Sequence, residues 1–329
     1  MQDKPSEFEL IERYLRPLAT DPSAFLLKDD AAILHVPDGK QLVVSKDLVI
    51  ADSHFFADDA PKLIAQKAIR SNVSDLIAKG AKPYRYSLGL AFSTPPSHSF
   101  MEAFAEGLLE DQTHYDWSLI GGDTTKSPSD FMISITAYGL CDKGQMVRRS
   151  GANIGDQIYV SGTLGDSALG LVQRQKSELF SHLSTGDKIY LDNAYLLPQP
   201  PIGLEEAIAD YASVSMDISD GLFSDLAHLC RASGFSAKID QQAIPLSLAA
   251  QNAIGREPSL LKTALRGGDD YQCLMIVSGE QEAPFVNLCA AKGLNVRKIG
   301  VITNATEPLF ELTNGDGDLD GELDGFTHF

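Results

Sequence analysis

Three strand-like runs of apolar residues lead straight into aspartate, at Asp47 in VVSKDLVI, Asp123 in SLIGGDTT and Asp217 in SMDISDGL. Such runs are expected to carry carboxylates to the edge of a sheet from positions far apart in the chain. The same residue recurs as Asp29 and Asp30 in LLKDDAAIL, Asp75 in SNVSDLIAKGA, Asp220 in SMDISDGL, and Asp269 and Asp270 in RGGDDYQ. A single aspartate favours turns and helix caps for purely local reasons. A converging set is different, because two carboxylates about 4 Å apart repel by roughly 4 kcal/mol at an effective dielectric of 20 and need protons or metal ions between them. Oxygen ligands without His or Cys suit Mg²⁺, which takes a few carboxylates, water and substrate phosphates.

The 329 residues, 43% hydrophobic and 22% charged, are enough for two domains. Helical spacing over 7–18 and 60–79, the latter ending at Gly80, alternates with strand patterns over 41–50 and 132–140. After the glycine- and charge-rich CDKGQMVRRSGANIGD the alternation resumes, with strands over 157–161, 213–216 and 271–277 and helices over 168–175 and 221–232. This is an α/β (α+β mixed) pattern, with domains expected at 1–146 and 147–329.

Composition excludes several classes. No apolar run approaches the roughly 20 residues of a membrane span, and the acidic start does not resemble a leader, so a cytoplasmic protein is expected. A formal charge of −18 repels a nucleic-acid backbone, and any phosphate handled here needs cations in between. Cys141, Cys230, Cys273 and Cys289 lack metal or disulfide spacing and read as buried thiols.

Gly121–Gly122 and Gly267–Gly268 precede Asp123 and Asp269 and let main-chain N–H groups approach an anion. No P-loop and no GxGxxG between strand and helix is present. Alternatives stand beside each residue. Arg149 is either a bidentate phosphate contact or a solvated linker arginine; Asp220 serves either a site or the helix N-terminus at Gly221; Asp75 serves either a site or an i,i+4 pair with Lys79. Asp316, Asp318, Asp320 and Gly321 imitate half of an EF-hand loop, but Thr327 stands where its closing Glu belongs.

In chain order FELIERYL, KDDAAIL, DLVIADSHF, SNVSDLIAKGAKP, LIGGDTT, RRSGANIGD, MDISDGLFSDL, GGDDY and GFTHF resemble the thiamine-monophosphate kinase family, whose fold is that of aminoimidazole ribonucleotide synthetase. The resemblance spans nearly the whole chain. It implies a two-domain enzyme that transfers the γ-phosphoryl group of ATP in line to thiamine monophosphate. The N-terminal domain would bind ATP and Mg²⁺ and pair its sheet across a homodimer; the C-terminal domain would close the active-site cleft. By likeness Asp30, Ser45, Asp47, Asp75, Asp123, Asp217 and Asp220 would hold Mg²⁺, with Asp47, Asp123 and Asp220 essential to catalysis. Gly121, Gly122, Asp123, Arg149 and Ser219 would contact ATP, and His54, Asp269 and Phe326 the thiamine moiety.

The chain departs from the family pattern at Lys28, Lys46, Leu48 and Asp269, where the family more often has Gly, Thr, Thr and Glu. Lys28 and Lys46 either add charge near phosphate or are surface lysines, and His54 has a plain alternative as a hydrogen-bonded, partly buried side chain. Two other functions compete: a different acceptor on the same fold, and a nucleotide or metal sensor without turnover. The absence of an early reactive cysteine and the GFTHF terminus speak against selenophosphate synthesis.

Overall fold

The computed structural model describes residues 4–315, which fall into two compact units: 4–76 with 81–144, and 77–80 with 145–315. Phe326 and the acidic stretch from Asp316 onward lie outside the described residues.

The N-terminal unit is built on a four-stranded sheet in the order β1-β4-β2-β3, from β1 (Lys40–Ile50), β2 (Lys82–Phe92), β3 (Ser118–Lys126) and β4 (Met132–Asp142). The β2–β3 pair is parallel, and β4 runs antiparallel to both of its neighbours. Alternation along β4 buries Ile133, Ile135 and Ala137 on one face. The helical span expected over 7–18 is real but changes pitch: helix α1 (Glu7–Leu10) passes into a π turn (Ile11–Leu15) and a 3₁₀ turn (Arg16–Leu18). Pro17 explains the change, since it has no N–H to continue the i→i−4 ladder.

Helix α2 (Pro61–Ala78) and helix α3 (His98–His114) are joined by a buried ion pair, in which Arg70 Nε and Nη2 donate to Asp111 Oδ2 and Oδ1 at 2.8 and 2.9 Å. Gln66 adds a third bond to Asp111 at 3.1 Å. The pair holds the two helices in register, because slippage would break both charge-assisted bonds at once.

The C-terminal unit has a six-stranded sheet in the order β10-β7-β9-β5-β8-β6, in which only the β10–β7 pair is parallel among the described residues. Its strands are β5 (Gln157–Ser161), β6 (Ala212–Ile218), β7 (Ser236–Asp240), β8 (Gln272–Val277), β9 (Val296–Thr303) and β10 (Phe310–Thr313). The helices that matter to the site are α4 (Asp166–Gln175), α7 (Leu222–Ser233) and α9 (Leu260–Arg266); α5 (Thr185–Leu196), α6 (Leu204–Tyr211), α8 (Leu248–Arg256) and α10 (Glu282–Ala291) complete the unit. Val214, Met216 and Ile218 of β6 and Leu222, Phe223 and Leu226 of α7 are fully buried in one apolar core. Each such side chain contributes on the order of 1.5–3 kcal/mol, which anchors both ends of the MDISDG segment. The four cysteines are buried free thiols.

Candidate active site

Alternation along β1 sorts its side chains. Val43, Ser45, Asp47 and Val49 share the covered face, while Val44, Lys46 and Leu48 point to the exposed one. Against the covered face α2 presents Ser71, Asn72 and Asp75 from adjacent turns. The Asp47 amide donates to Asn72 Oδ1 at 3.2 Å, and Ser45 Oγ donates to the Asp75 carboxylate. Burial, and after it the neighbouring Asp75 carboxylate, pushes the Asp47 carboxyl up to about 6 against a hydrogen bond from Ser71. Lys46 is carried away from this group and donates to Ser134 Oγ at 2.6 Å.

Asp47 and Asp123 lie inside β1 and β3, not at strand ends as their sequences suggest, because the ladders run on past them to Ile50 and Lys126. The register decides what they can share. One row across the sheet reads Asp47, Ile135, Leu88, Gly122; the next reads Leu48, Ser134, Gly89, Asp123. Cross-strand partners share a face, so Asp123 projects from the face opposite Asp47. Since β1 and β3 are the two edges, three strand spacings, on the order of 14 Å, also separate their backbones. The fold of one copy does not bring these two carboxylates together.

Asp123 has other company. With Asp30, Gly121, Gly122 and Thr124 it lines a pocket of about 390 Å³ within the N-terminal unit. The two glycines differ in kind. A Cβ on Gly122 would meet the Leu88 carbonyl oxygen at 1.9 Å, so close strand pairing requires glycine there, whereas Gly121 faces open space. His54 is partly buried just after β1, its Nδ1 accepting the Ile50 amide at 3.2 Å.

In the C-terminal unit Asp217 is buried near the end of β6, opposite Cys273. Ser219 and Asp220 follow in a loop whose amides both donate to Asp225 Oδ2 at 3.1 Å. Burial first, and the Asp220 charge second, push the Asp225 carboxyl up to about 7, with those amides and Arg149 opposing. Asp220 gives α7 no side-chain cap. Asp269 adopts a positive φ of 70° and accepts from the Tyr271 hydroxyl at 3.1 Å. Asp270 is buried and accepts the Gly165 amide at 2.6 Å, at the N-terminus of α4. Gly267 and Gly268 are glycine for packing: a Cβ would meet Ala168 Cβ at 2.3 Å or the Ser219 carbonyl oxygen at 2.1 Å.

Sequence reading missed Ser71, Asn72 and Asp225. The first two stand four and three residues before Asp75, a helical spacing that was open to view in SNVSDLIAKG. Among the described residues, no three His, Cys, Asp or Glu side chains stand close enough together to hold a metal ion. A pair such as Asp47 and Asp75 with the Ser45 hydroxyl still suits Mg²⁺, which commonly takes one or two carboxylates and completes its shell with water and phosphate oxygens.

The chain matches the family models described as AIR synthase related protein, N-terminal domain, over residues 28–141, and C-terminal domain, over residues 153–310. It is 37% identical to a thiamine-monophosphate kinase of Caulobacter vibrioides over 90% of this chain and 84% of that protein. Against the thiamine-monophosphate kinase of Escherichia coli it is 35% identical over 98% of both. Among solved structures, thiamine-monophosphate kinase from Stenotrophomonas maltophilia superposes with a TM-score of 0.79 at 34% identity, covering 87% of this chain and 89% of the other. AaThiL complexed with AMPPCP and TMP superposes with a TM-score of 0.77 at 30% identity, covering 98% and 97%. With both family models in order and full-length relatives above 30% identity, this chain belongs to the thiamine-monophosphate kinase family, within the AIR synthase related proteins.

Proposed function

We propose that this chain is a kinase that transfers the γ-phosphoryl group of ATP directly to the phosphate of thiamine monophosphate, giving thiamine diphosphate and ADP. The observation that carries the reading is the likeness, along nearly the whole of both chains, to AaThiL complexed with AMPPCP and TMP. Phosphoryl transfer needs little covalent chemistry from a protein; positioning and charge neutralisation dominate, and an acceptor phosphate needs no strong base.

The donor set fits Mg²⁺. Ser45, Asp47 and Asp75 offer oxygen alone, and an Asp47 carboxyl held up to about 6 by burial and its neighbour gains from a nearby cation. Mg²⁺, when bound, neutralises phosphate charge that a protein of net charge −18 would otherwise repel. Asp30 and Asp123 would serve a separate ion beside Gly121 and Gly122, and Asp217 and Asp220 would add ligands from the C-terminal unit. In this reading 1–146 serves ATP, Mg²⁺ and dimerisation, while 147–329 contributes Arg149 and Ser219 to ATP and Asp269 to the thiamine moiety, together with His54 and Phe326.

The enzyme acts as a cytoplasmic homodimer that binds neither nucleic acid nor membrane. The exposed Val44 and Leu48, on the uncovered face of edge strand β1, support sheet pairing between copies. No helix among the described residues is long and apolar enough to cross a membrane.

Incubation of the purified protein with ATP, Mg²⁺ and thiamine monophosphate tests the proposal, with thiamine diphosphate and ADP formed in equal amounts as the expected result. Nucleotide binding without acceptor-dependent ADP release would instead mark a sensor, and turnover with another acceptor only would reject the thiamine assignment.

A further inference from the structure

Five residues after Asp220, α7 carries a carboxylate that is not itself among the proposed ligands and is only 1% exposed: Asp225. A single oxygen, Oδ2, accepts two consecutive main-chain amides, those of Ser219 and Asp220, each at 3.1 Å. Two N–H bonds to one ionisable carboxylate are among the stronger restraints that a loop can receive.

The opposite edge of the same loop is held as well. The Ser219 carbonyl accepts the Asp269 amide at 2.9 Å, and the Ile218 carbonyl accepts the Tyr271 amide at 2.9 Å. Gly268 and Gly221 make the approach possible: a Cβ on Gly268 would meet the Ser219 carbonyl oxygen at 2.1 Å, and one on Gly221 would meet the Arg266 carbonyl oxygen at 2.4 Å. The peptide groups on both sides of Ser219 are therefore committed within the protein. Their orientation, and with it the direction in which the Ser219 and Asp220 side chains leave the loop, is set before any ligand arrives.

We infer that Asp225 is a positioning residue for nucleotide binding, fixing the Ser219–Asp220 segment through its two amides so that these side chains meet the polyphosphate and its cation without reordering. The inference rests on the assignment of Ser219 to ATP and Asp220 to Mg²⁺.

Asp225→Leu removes the acceptor at similar size, and Asp225→Asn keeps one carboxamide oxygen for the amides. Both are compared with the parent full-length protein by steady-state kinetics and by calorimetric binding of AMPPCP in the presence of Mg²⁺, with the thermal midpoint recorded to confirm folding. For Asp225→Leu the expected result is a rise of about tenfold or more in the KM for ATP and in the dissociation constant for AMPPCP, with the KM for thiamine monophosphate changed less than about twofold. Asp225→Asn should restore nucleotide affinity to within about threefold of the parent. A folded Asp225→Leu protein with parental nucleotide affinity overturns the inference, as does an equal loss of affinity for both substrates. Should the leucine variant not fold, the asparagine variant decides: a rise of about tenfold in its KM for ATP refutes positioning through the amides. Asp220→Asn separates the two levels. If it leaves AMPPCP affinity unchanged, the assignment of the loop to nucleotide is itself wrong and the inference goes with it; if it weakens binding while Asp225→Leu does not, only the role of Asp225 is refuted.

Discussion

The amide of Asp47, in the middle of β1, donates to the side-chain oxygen of Asn72 on α2 at 3.2 Å, so the strand that carries the principal acidic residue is tied directly to the helix that carries its partner Asp75. Asn72 is itself held, its Nδ2 donating to the Ala68 carbonyl at 3.0 Å. The carboxylate pair therefore rests on two rigid elements, and this rigidity governs how variants there should behave.

Asp47→Asn and Asp123→Asn should each lower kcat by about a hundredfold or more with ATP, Mg²⁺ and thiamine monophosphate, while circular dichroism shows the fold retained. Near-normal rates in both variants would show that metal binding has been placed on the wrong residues. Chelation of divalent ions should abolish ADP release in the parent, and Mg²⁺ should restore it.

The raised Asp47 pKa gives a stability prediction with a definite sign. A folded-state value of about 6 against an ordinary 3.8 means that protonation favours the folded state. The benefit is complete below about pH 4 and is lost as pH rises through 6, which costs up to about 3 kcal/mol at pH 8 without metal. Asp47→Asn should thus be more stable than the parent at pH 8 in chelator, with the difference closing by pH 4 and shrinking when Mg²⁺ is added. Denaturant unfolding at both pH values reads this directly; a variant less stable at pH 8 would contradict it.

The adjacent glycines should separate structure from chemistry. Gly122→Ala forces a Cβ to within 1.9 Å of the Leu88 carbonyl oxygen and should destabilise the fold by about 2 kcal/mol or more through β2–β3 repacking. Gly121→Ala meets no atom within 4 Å, so its thermal midpoint should stay parental while the KM for ATP rises if the main chain there approaches phosphate. Equal midpoints for the two variants would refute the packing account.

Asp111→Ala should cost roughly 3–5 kcal/mol, because it strands Arg70, itself only 6% exposed, without its bidentate partner. Replacing both, as Arg70→Met with Asp111→Leu, should recover much of that loss in urea unfolding. A double variant no better than the single one would mean that the pair contributes orientation that apolar packing does not supply.

Much of this protein was legible in its residues. Alternation in QLVVSKDLVI fixed a strand at 41–50, found at Lys40–Ile50, and Gly80, expected in a left-handed position just past a helix, has a φ of +68°. The order of the acidic and glycine motifs pointed to the family, because each short segment draws its character from its own local chemistry. What depends on register was not legible. Whether Asp47 and Asp123 share a face is decided by which residues pair across β1, β4, β2 and β3, and a shift of one position would reverse it. Likewise, Gly122 and Gly268 read as phosphate glycines, whereas the Leu88 and Ser219 carbonyls fill the space of their missing side chains, and nothing in the sequence singles out Asp225, whose carboxylate accepts two main-chain amides. A chain specifies its own turns, faces and charges locally, but which groups from distant segments meet is settled only when the strands and helices pack.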